Sequence, residues 1–285
     1  MCLTAVKSNA EAFYFGYVPE NIKNAEICMA AVSGHGGSLE KVPEGLRTAE
    51  LCLAAVCRYG GALEDVPEHL KTEEMCLAAV KEYGGAIKFV PEALKTAAVC
   101  MAAVKNYDAF DFDFCLVPDK FKTEQMCLAA VKQSGEALEF VPENLKTAEM
   151  CGAAVLQDFK ALKFVPDGLK TAEMCLAAAS QTLWAESFAL LEFVPDRLKT
   201  AEVCLAAVLQ VGLSLEFVPE GLKTAEMCLS AVQRQGRALE FVPGNLEPAS
   251  AYSAVCLAAV RQEGLALEFV PESIAAEVAA ASVKL

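Results

Sequence analysis

Residues 122–145 read KTEQMCLAAVKQSGEALEFVPENL, and this stretch recurs with substitutions along the whole chain. Its Val141-Pro142 pair has counterparts ending at Pro19, Pro43, Pro67, Pro91, Pro118, Pro166, Pro195, Pro219, Pro243 and Pro271. Seven of the ten intervals are 24 residues, and the other three are 27, 29 and 28. Cys127 keeps step with them, through Cys2, Cys28, Cys52, Cys76, Cys100, Cys151, Cys175, Cys204, Cys228 and Cys256. A fixed period of this size is the signature of a solenoid, whose repeats bury their apolar faces only against one another.

Within the repeat, Thr123 is placed to cap a helix, and Thr48, Thr72, Thr96, Thr147, Thr171, Thr200 and Thr224 hold the same place. Acidic residues such as Glu50, Glu74, Glu149, Glu173, Glu202 and Glu226 follow in the first turn, where the helix dipole favours them. Cys127, Ala130, Val131 and Ser134 then share one face by helical spacing. Paired alanines let helices approach closely at no loss of propensity. Gly135, like Gly60, Gly84, Gly212, Gly236 and Gly264, is expected to stop this first helix. At about three turns the helix is too short to stand alone and must pack on its neighbours.

The second half of the repeat allows two readings, because proline lacks an N–H and drives the preceding residue out of the α region. One is a short helix over residues 137–140 followed by a turn opened by Pro142; the other is a very short strand with Leu138 and Phe140 inward. Either way Phe89, Phe140, Phe164, Phe193, Phe217, Phe241 and Phe269 are expected to form a buried aromatic ladder. Leu46, Leu70, Leu94, Leu145, Leu169, Leu198 and Leu222 would lie beneath it. The strand reading would make the fold an α/β leucine-rich-repeat-like solenoid. That fold wants alternating leucines followed by Asn or Cys, whereas the most regular segment here is Cys-Leu-Ala-Ala-Val at helical spacing. The expected fold is therefore all-α: an α-solenoid of eleven two-helix repeats of about 24 residues, with residues 1–285 forming a single array. Its Ala-rich end, residues 272–285, would be the C-terminal cap that such arrays need.

The pattern Leu-Ala-Ala-Val-Lys, two variable residues, Gly, one residue, then Ala-Leu resembles a short helical-repeat family found mainly in bacterial proteins and catalogued as a domain of unknown function. Residues 128–138 are the clearest copy and 77–87 a close second, and the likeness runs over most of the chain. The regular cysteine and the Val-Pro pair depart from that family's pattern. The resemblance implies a helical repeat and a leaning toward protein–protein contacts, and it brings no catalytic residues to transfer.

Composition narrows the function further. The 24 basic and 38 acidic residues leave a net charge of −14, with no Lys/Arg cluster to neutralise phosphates or anionic lipid, so neither nucleic acid nor membrane is an expected partner. The longest mostly apolar stretch, residues 249–260, is too short to span a bilayer, and no basic-then-apolar leader opens the chain. Thirteen cysteines at this spacing do not read as disulfides. Stacked helices lie roughly 8–10 Å apart, while a disulfide needs Cα atoms closer than about 7 Å. Reduced, buried thiols are expected, with Cys57 and Cys115 off the ladder as the exposed ones, which fits a cytoplasmic protein. With only His35 and His69, no metal site or other cofactor is expected. No phosphate loop, nucleophile elbow or nucleotide fingerprint occurs, so an enzyme or a small-molecule substrate is not expected.

Departures from the repeat are then the candidate sites. The fifth repeat (near residues 100–118) gains an aromatic–acidic run containing Tyr107, Phe110, Asp111, Phe112, Asp113 and Phe114. The eighth (near residues 175–195) gains a segment with Trp184, Glu186 and Phe188. Aromatics of this kind are common interface anchors, and both inserts follow the first helix, which would place them on one edge of a solenoid. The carboxylate rows, balanced by Lys71, Lys95, Lys146, Lys170, Lys199 and Lys223, read as a solvated face. The expected function is a non-enzymatic scaffold for a protein partner. A structural spacer joined to a functional region outside this chain is the alternative.

Overall fold

The structure is a computed structural model that describes residues 2–8, 18–34, 39–106, 113–181 and 190–283. It divides into two compact units, Met1–Leu145 and Lys146–Leu285. The first contains α1 (Cys2–Ser8), α2 (Ala25–Ser33), α3 (Ala49–Arg58), α4 (Glu73–Glu82), α5 (Ala97–Lys105) and α6 (Glu124–Gln133). The second contains α7 (Ala148–Gln157), α8 (Ala172–Gln181), α9 (Ala201–Gln210), α10 (Ala225–Arg234), α11 (Ala249–Gln262) and α12 (Glu272–Ser282). No strand occurs among the described residues, and within each unit consecutive α-helices pack on one another, so the fold is an all-α solenoid.

Most of the α-helices begin where a side chain satisfies one of the orphan N–H groups, whereas α11 and α12 follow Pro248 and Pro271 without such a cap. The hydroxyls of Thr48, Thr123 and Thr224 accept from the N–H of Leu51, Met126 and Met227 at 3.2–3.3 Å, and Asn24 does the same for Ile27 at 3.0 Å. The helix then buries four residues: in α6 these are Met126, Cys127, Ala130 and Val131. In α10 they are Met227, Cys228, Ala231 and Val232.

The second half of the repeat is helical but tighter than α. In the sixth repeat a 3-10 helix runs over Gly135–Phe140, Val141 is extended with ψ 126°, and a second 3-10 turn spans Glu143–Leu145. Leu145 donates its N–H to the Pro142 carbonyl at 2.9 Å, so proline opens that turn as its fixed geometry favours. Three residues per turn decide which side chains face inward. Leu138 and Val141, three apart, lie on one side and are buried, while Phe140 falls on another side and is half-buried. The expected buried phenylalanine ladder is thus corrected. The buried ladder is Leu39, Leu63, Ile87, Leu138, Leu162, Leu191, Leu215 and Leu239, and Phe193 is exposed.

The repeat glycines also do something other than stop a helix. None of the described ones has the left-handed φ of a helix-ending glycine, and each opens the 3-10 helix instead. A Cβ on Gly60 would lie 2.3 Å from the Ala79 carbonyl oxygen, and one on Gly212 would lie 2.3 Å from that of Ala231. Those oxygens belong to the next repeat's α-helix, so glycine is required by close approach between repeats. At Gly264, the same station in the last repeat, nothing lies within 4 Å.

The lysines do balance exposed carboxylates, as in Lys71–Glu68, Lys170–Asp167, Lys199–Asp196 and Lys223–Glu220, and several of them also join the repeats. The Nζ of Lys71, Lys122, Lys170 and Lys223 donates to the carbonyl of Phe89, Phe140, Phe193 and Phe241 at 2.7–3.0 Å. Each carbonyl ends a 3-10 helix in the following repeat, where extended Val and Pro carry the chain away. In the first unit Arg47 takes the same place, donating to the Asp65 carbonyl at 2.5 Å. The Lys71 side chain is only 4% exposed and its partner Glu68 is 75% exposed. Its stem packs along the repeat while its amine reaches out to two acceptors.

Candidate functional site

With the caps, thiols, glycines and lysines all occupied by the fold, variation falls on the outward face of the α-helices. There the residue after the ladder cysteine is Leu or Met in every repeat but one: Leu3, Met29, Leu53, Leu77, Met101, Leu128, Leu176, Leu205, Leu229 and Leu257, all half-buried. In α7 it is Gly152. The missing side chain leaves a groove of about 650 Å³ between α7 and α8. Ala153 and Leu156 line it from α7 and Met174 and Ala177 from α8, with Glu149 and Glu173 also in its lining. The Met174 Cε lies 3.5 Å from where a Gly152 Cβ would be, an ordinary contact, so the groove floor is the neighbouring helix itself.

Charge on this face follows the same division. The last turns of α3, α4, α5 and α6 carry Arg58, Lys81, Lys105 and Lys132. Those of α7, α8 and α9 carry no basic residue, and each of the three helices has a single charge, Glu149, Glu173 or Glu202 in its first turn. Where α6 has Lys132, α7 has Leu156 and α9 has Leu209, 66% and 52% exposed. The lysines that precede the two helices are turned away: Lys146 donates to the Phe164 carbonyl at 2.9 Å and Lys170 to that of Phe193 at 2.7 Å. The result is an apolar trough with carboxylates and no cation on its two helices.

The residues singled out from the inserts fare differently. Tyr107, Phe110, Asp111, Phe112, Trp184, Glu186 and Phe188 lie outside the described residues, as does His35, so the shared edge expected for the inserts does too. Asp113 is exposed and accepts from the Cys115 N–H at 2.8 Å, which caps the 3-10 turn Phe114–Leu116. Phe114 is 2% exposed and offers no surface. It stands three residues before Val117, the station Leu138 holds before Val141, and three-residue spacing turns it inward.

The thiols behave as core atoms. The ladder cysteines from Cys28 to Cys256 are buried and form no disulfide, and burial pushes Cys76, Cys127 and Cys228 up to about 11. Cys57 and Cys115 are the exposed pair. Cys115 is pushed up to about 11, first by partial desolvation and then by its hydrogen bond to Asp113 and that carboxylate's charge, which argues against an activated thiolate. No cluster of three His, Cys, Asp or Glu suited to a metal occurs among the described residues. Nor is any described helix long and apolar enough to cross a membrane.

The architecture is that of a helical-repeat protein. Residues 49–95 and 123–170 match the model of the family described as Domain of unknown function (DUF4116). Each match spans two consecutive repeats, α3 with α4 and α6 with α7, so the chain is similar to that family over two repeat pairs and the resemblance read from its sequence holds. No curated protein and no solved structure matches the chain. Gly152 and Leu156 were legible without coordinates, as the Gly and Leu that replace Leu128 and Lys132 when the sixth and seventh repeats are aligned.

Proposed function

We propose that this protein is a non-enzymatic scaffold that presents the outward faces of its helices to a protein partner. One observation carries the reading: the capping, thiol and seam residues recur along the chain, while the exposed last-turn stations change in size and charge from one helix to the next. Half-buried Leu and Ala pairs supply apolar area at each repeat, and the terminal-turn residues supply its differences. Surfaces built from repeated, separately variable stations suit an extended protein ligand better than a compact one.

The test compares wild type with the double variant Leu156→Lys, Leu209→Lys in affinity capture from the native host, with circular dichroism on both. These positions are exposed, so the variant is expected to fold as wild type does while losing its captured partners. Unchanged capture by a folded variant would remove the outward face of the second unit as the binding surface.

A further inference from the structure

We propose that the groove between α7 and α8 docks a Lys- or Arg-rich segment of a partner protein. The segment seats one aliphatic or aromatic side chain over Gly152 and pairs its cations with Glu149 and Glu173. This rests on the scaffold reading and names the chemistry of its partner. Three features of the site select that occupant. The groove of about 650 Å³ is open and apolar at the place where other repeats insert their own Leu or Met, so what fits there is a side chain of that kind from outside. Its two helices carry Glu149 and Glu173, both exposed and neither matched by a cation on those helices. The mostly exposed Leu156 lines the groove from the last turn of α7, on the helix end opposite Glu149, so the trough offers apolar contact at one end and negative charge at the other. An acidic or uncharged segment would leave the carboxylates desolvated and unpaired, which selects against it.

The experiment uses the full chain and a short fluorescent synthetic peptide with one Phe flanked by lysines, followed by anisotropy at low and at physiological ionic strength. Matched peptides replace the Phe by Ala, or the lysines by Glu. Wild type is expected to bind the Phe–Lys peptide roughly tenfold or more tightly than the Phe-to-Ala peptide, in keeping with a buried anchor. Gly152→Leu restores the side chain of the other repeats without touching charge, and is expected to weaken binding by a similar factor. The pair Glu149→Gln, Glu173→Gln is expected to weaken it about three- to tenfold and to flatten its salt dependence. Because Met174 leaves room for a larger residue at position 152, Gly152→Leu is expected to fold, and Leu156→Lys provides a second variant that fills no space.

Equal binding of the Phe and Ala peptides would overturn the proposal, because the contact would then be diffuse attraction to a chain of net charge −14. Binding that survives Gly152→Leu, or a preference for the Glu peptide, would overturn it as well. So would self-association of wild type in sedimentation that Gly152→Leu abolishes, since the occupant would be a second copy. If no peptide binds but the double Lys variant still loses its captured partners, the groove assignment falls and the scaffold reading stands. If capture is unchanged as well, both fall.

Discussion

Helices α6 and α7 are nearly the same sequence, EQMCLAAVKQ against AEMCGAAVLQ, and their differences divide by face. Inward, Met126, Cys127, Ala130 and Val131 of α6 correspond to Met150, Cys151, Ala154 and Val155 of α7, and all eight are buried. Outward, Leu128 becomes Gly152 and Lys132 becomes Leu156. The inward set stays apolar, varying only among buried hydrophobic residues such as Val99 and Ala179, because interiors packed at crystal-like density register the loss or gain of a single methylene. The exposed station held by Lys132 and Leu156 is freer to change its chemistry, since exposed substitutions away from special geometry usually stay within about 0.5 kcal/mol. Folding and recognition are therefore written on opposite sides of one short helix, which is how a repeat can be copied many times and still acquire a local site.

The largest effect is expected at the seam between repeats. Gly212→Ala drives a methyl to within 2.3 Å of the Ala231 carbonyl, a backbone atom that cannot move without the next helix. A loss of about 2–3 kcal/mol is expected, at the upper end of overpacking costs. Gly264→Ala is the matched control, with nothing within 4 Å, and should be neutral or stabilising by about 0.4–1 kcal/mol through the unfolded chain. Urea midpoints followed by circular dichroism read both. Equal effects at the two stations would mean that glycine serves the local backbone and that inward and outward faces are not separately constrained.

The next effect concerns the lysine link. Lys71→Met keeps the aliphatic stem but leaves the Phe89 carbonyl without its donor, at an expected cost of about 1–3 kcal/mol. Glu68→Gln removes only the carboxylate of an exposed residue, and a surface pair of that kind is worth about 0–1 kcal/mol. The same denaturation series ranks them. If Glu68→Gln cost as much as Lys71→Met, the link would be an ion pair on the surface rather than a bond across the seam.

Much of this architecture was legible in the sequence because a repeat displays each constraint many times. The Thr caps, the Cys-Ala-Val face and the break at Pro follow from residue type and spacing alone. The Phe140 ladder was misplaced because inward direction depends on whether the short segment has α, 3-10 or strand periodicity, and residues 137–140 are too few to show a period. The lysines were legible as partners of the carboxylates, but their second bond was not, because Lys71 to Phe89 runs between repeats and charge patterning within one repeat carries no trace of it. Phe114 looked like an anchor because it stands in an aromatic–acidic run, yet its register with Val117 settles its burial. The groove had a sequence signal of a different kind, one glycine where the other ten repeats have Leu or Met, and it lay in a repeat of regular length.

The smallest effect tests the inward–outward contrast with one residue type. Two serines among the described residues stand where other repeats have alanine, Ser214 inward and Ser230 outward. Ser214 is 0% exposed and its Oγ has no hydrogen-bond partner, whereas the Ser230 hydroxyl, on the half-buried face of α10, donates to the Glu226 carbonyl at 2.9 Å. Burying an unpaired hydroxyl costs free energy that alanine would not incur, so Ser214→Ala is expected to stabilise the protein by about 1 kcal/mol. Ser230→Ala removes a hydroxyl bonded to its own helix and should change stability by less than about 0.5 kcal/mol. Differential scanning calorimetry of the two variants, singly and combined, separates them. Additive effects are expected, because the residues lie on opposite faces of adjoining repeats and share no partner. Destabilisation by Ser214→Ala would show that the inward face tolerates polarity, and the division seen between α6 and α7 would then reflect size alone.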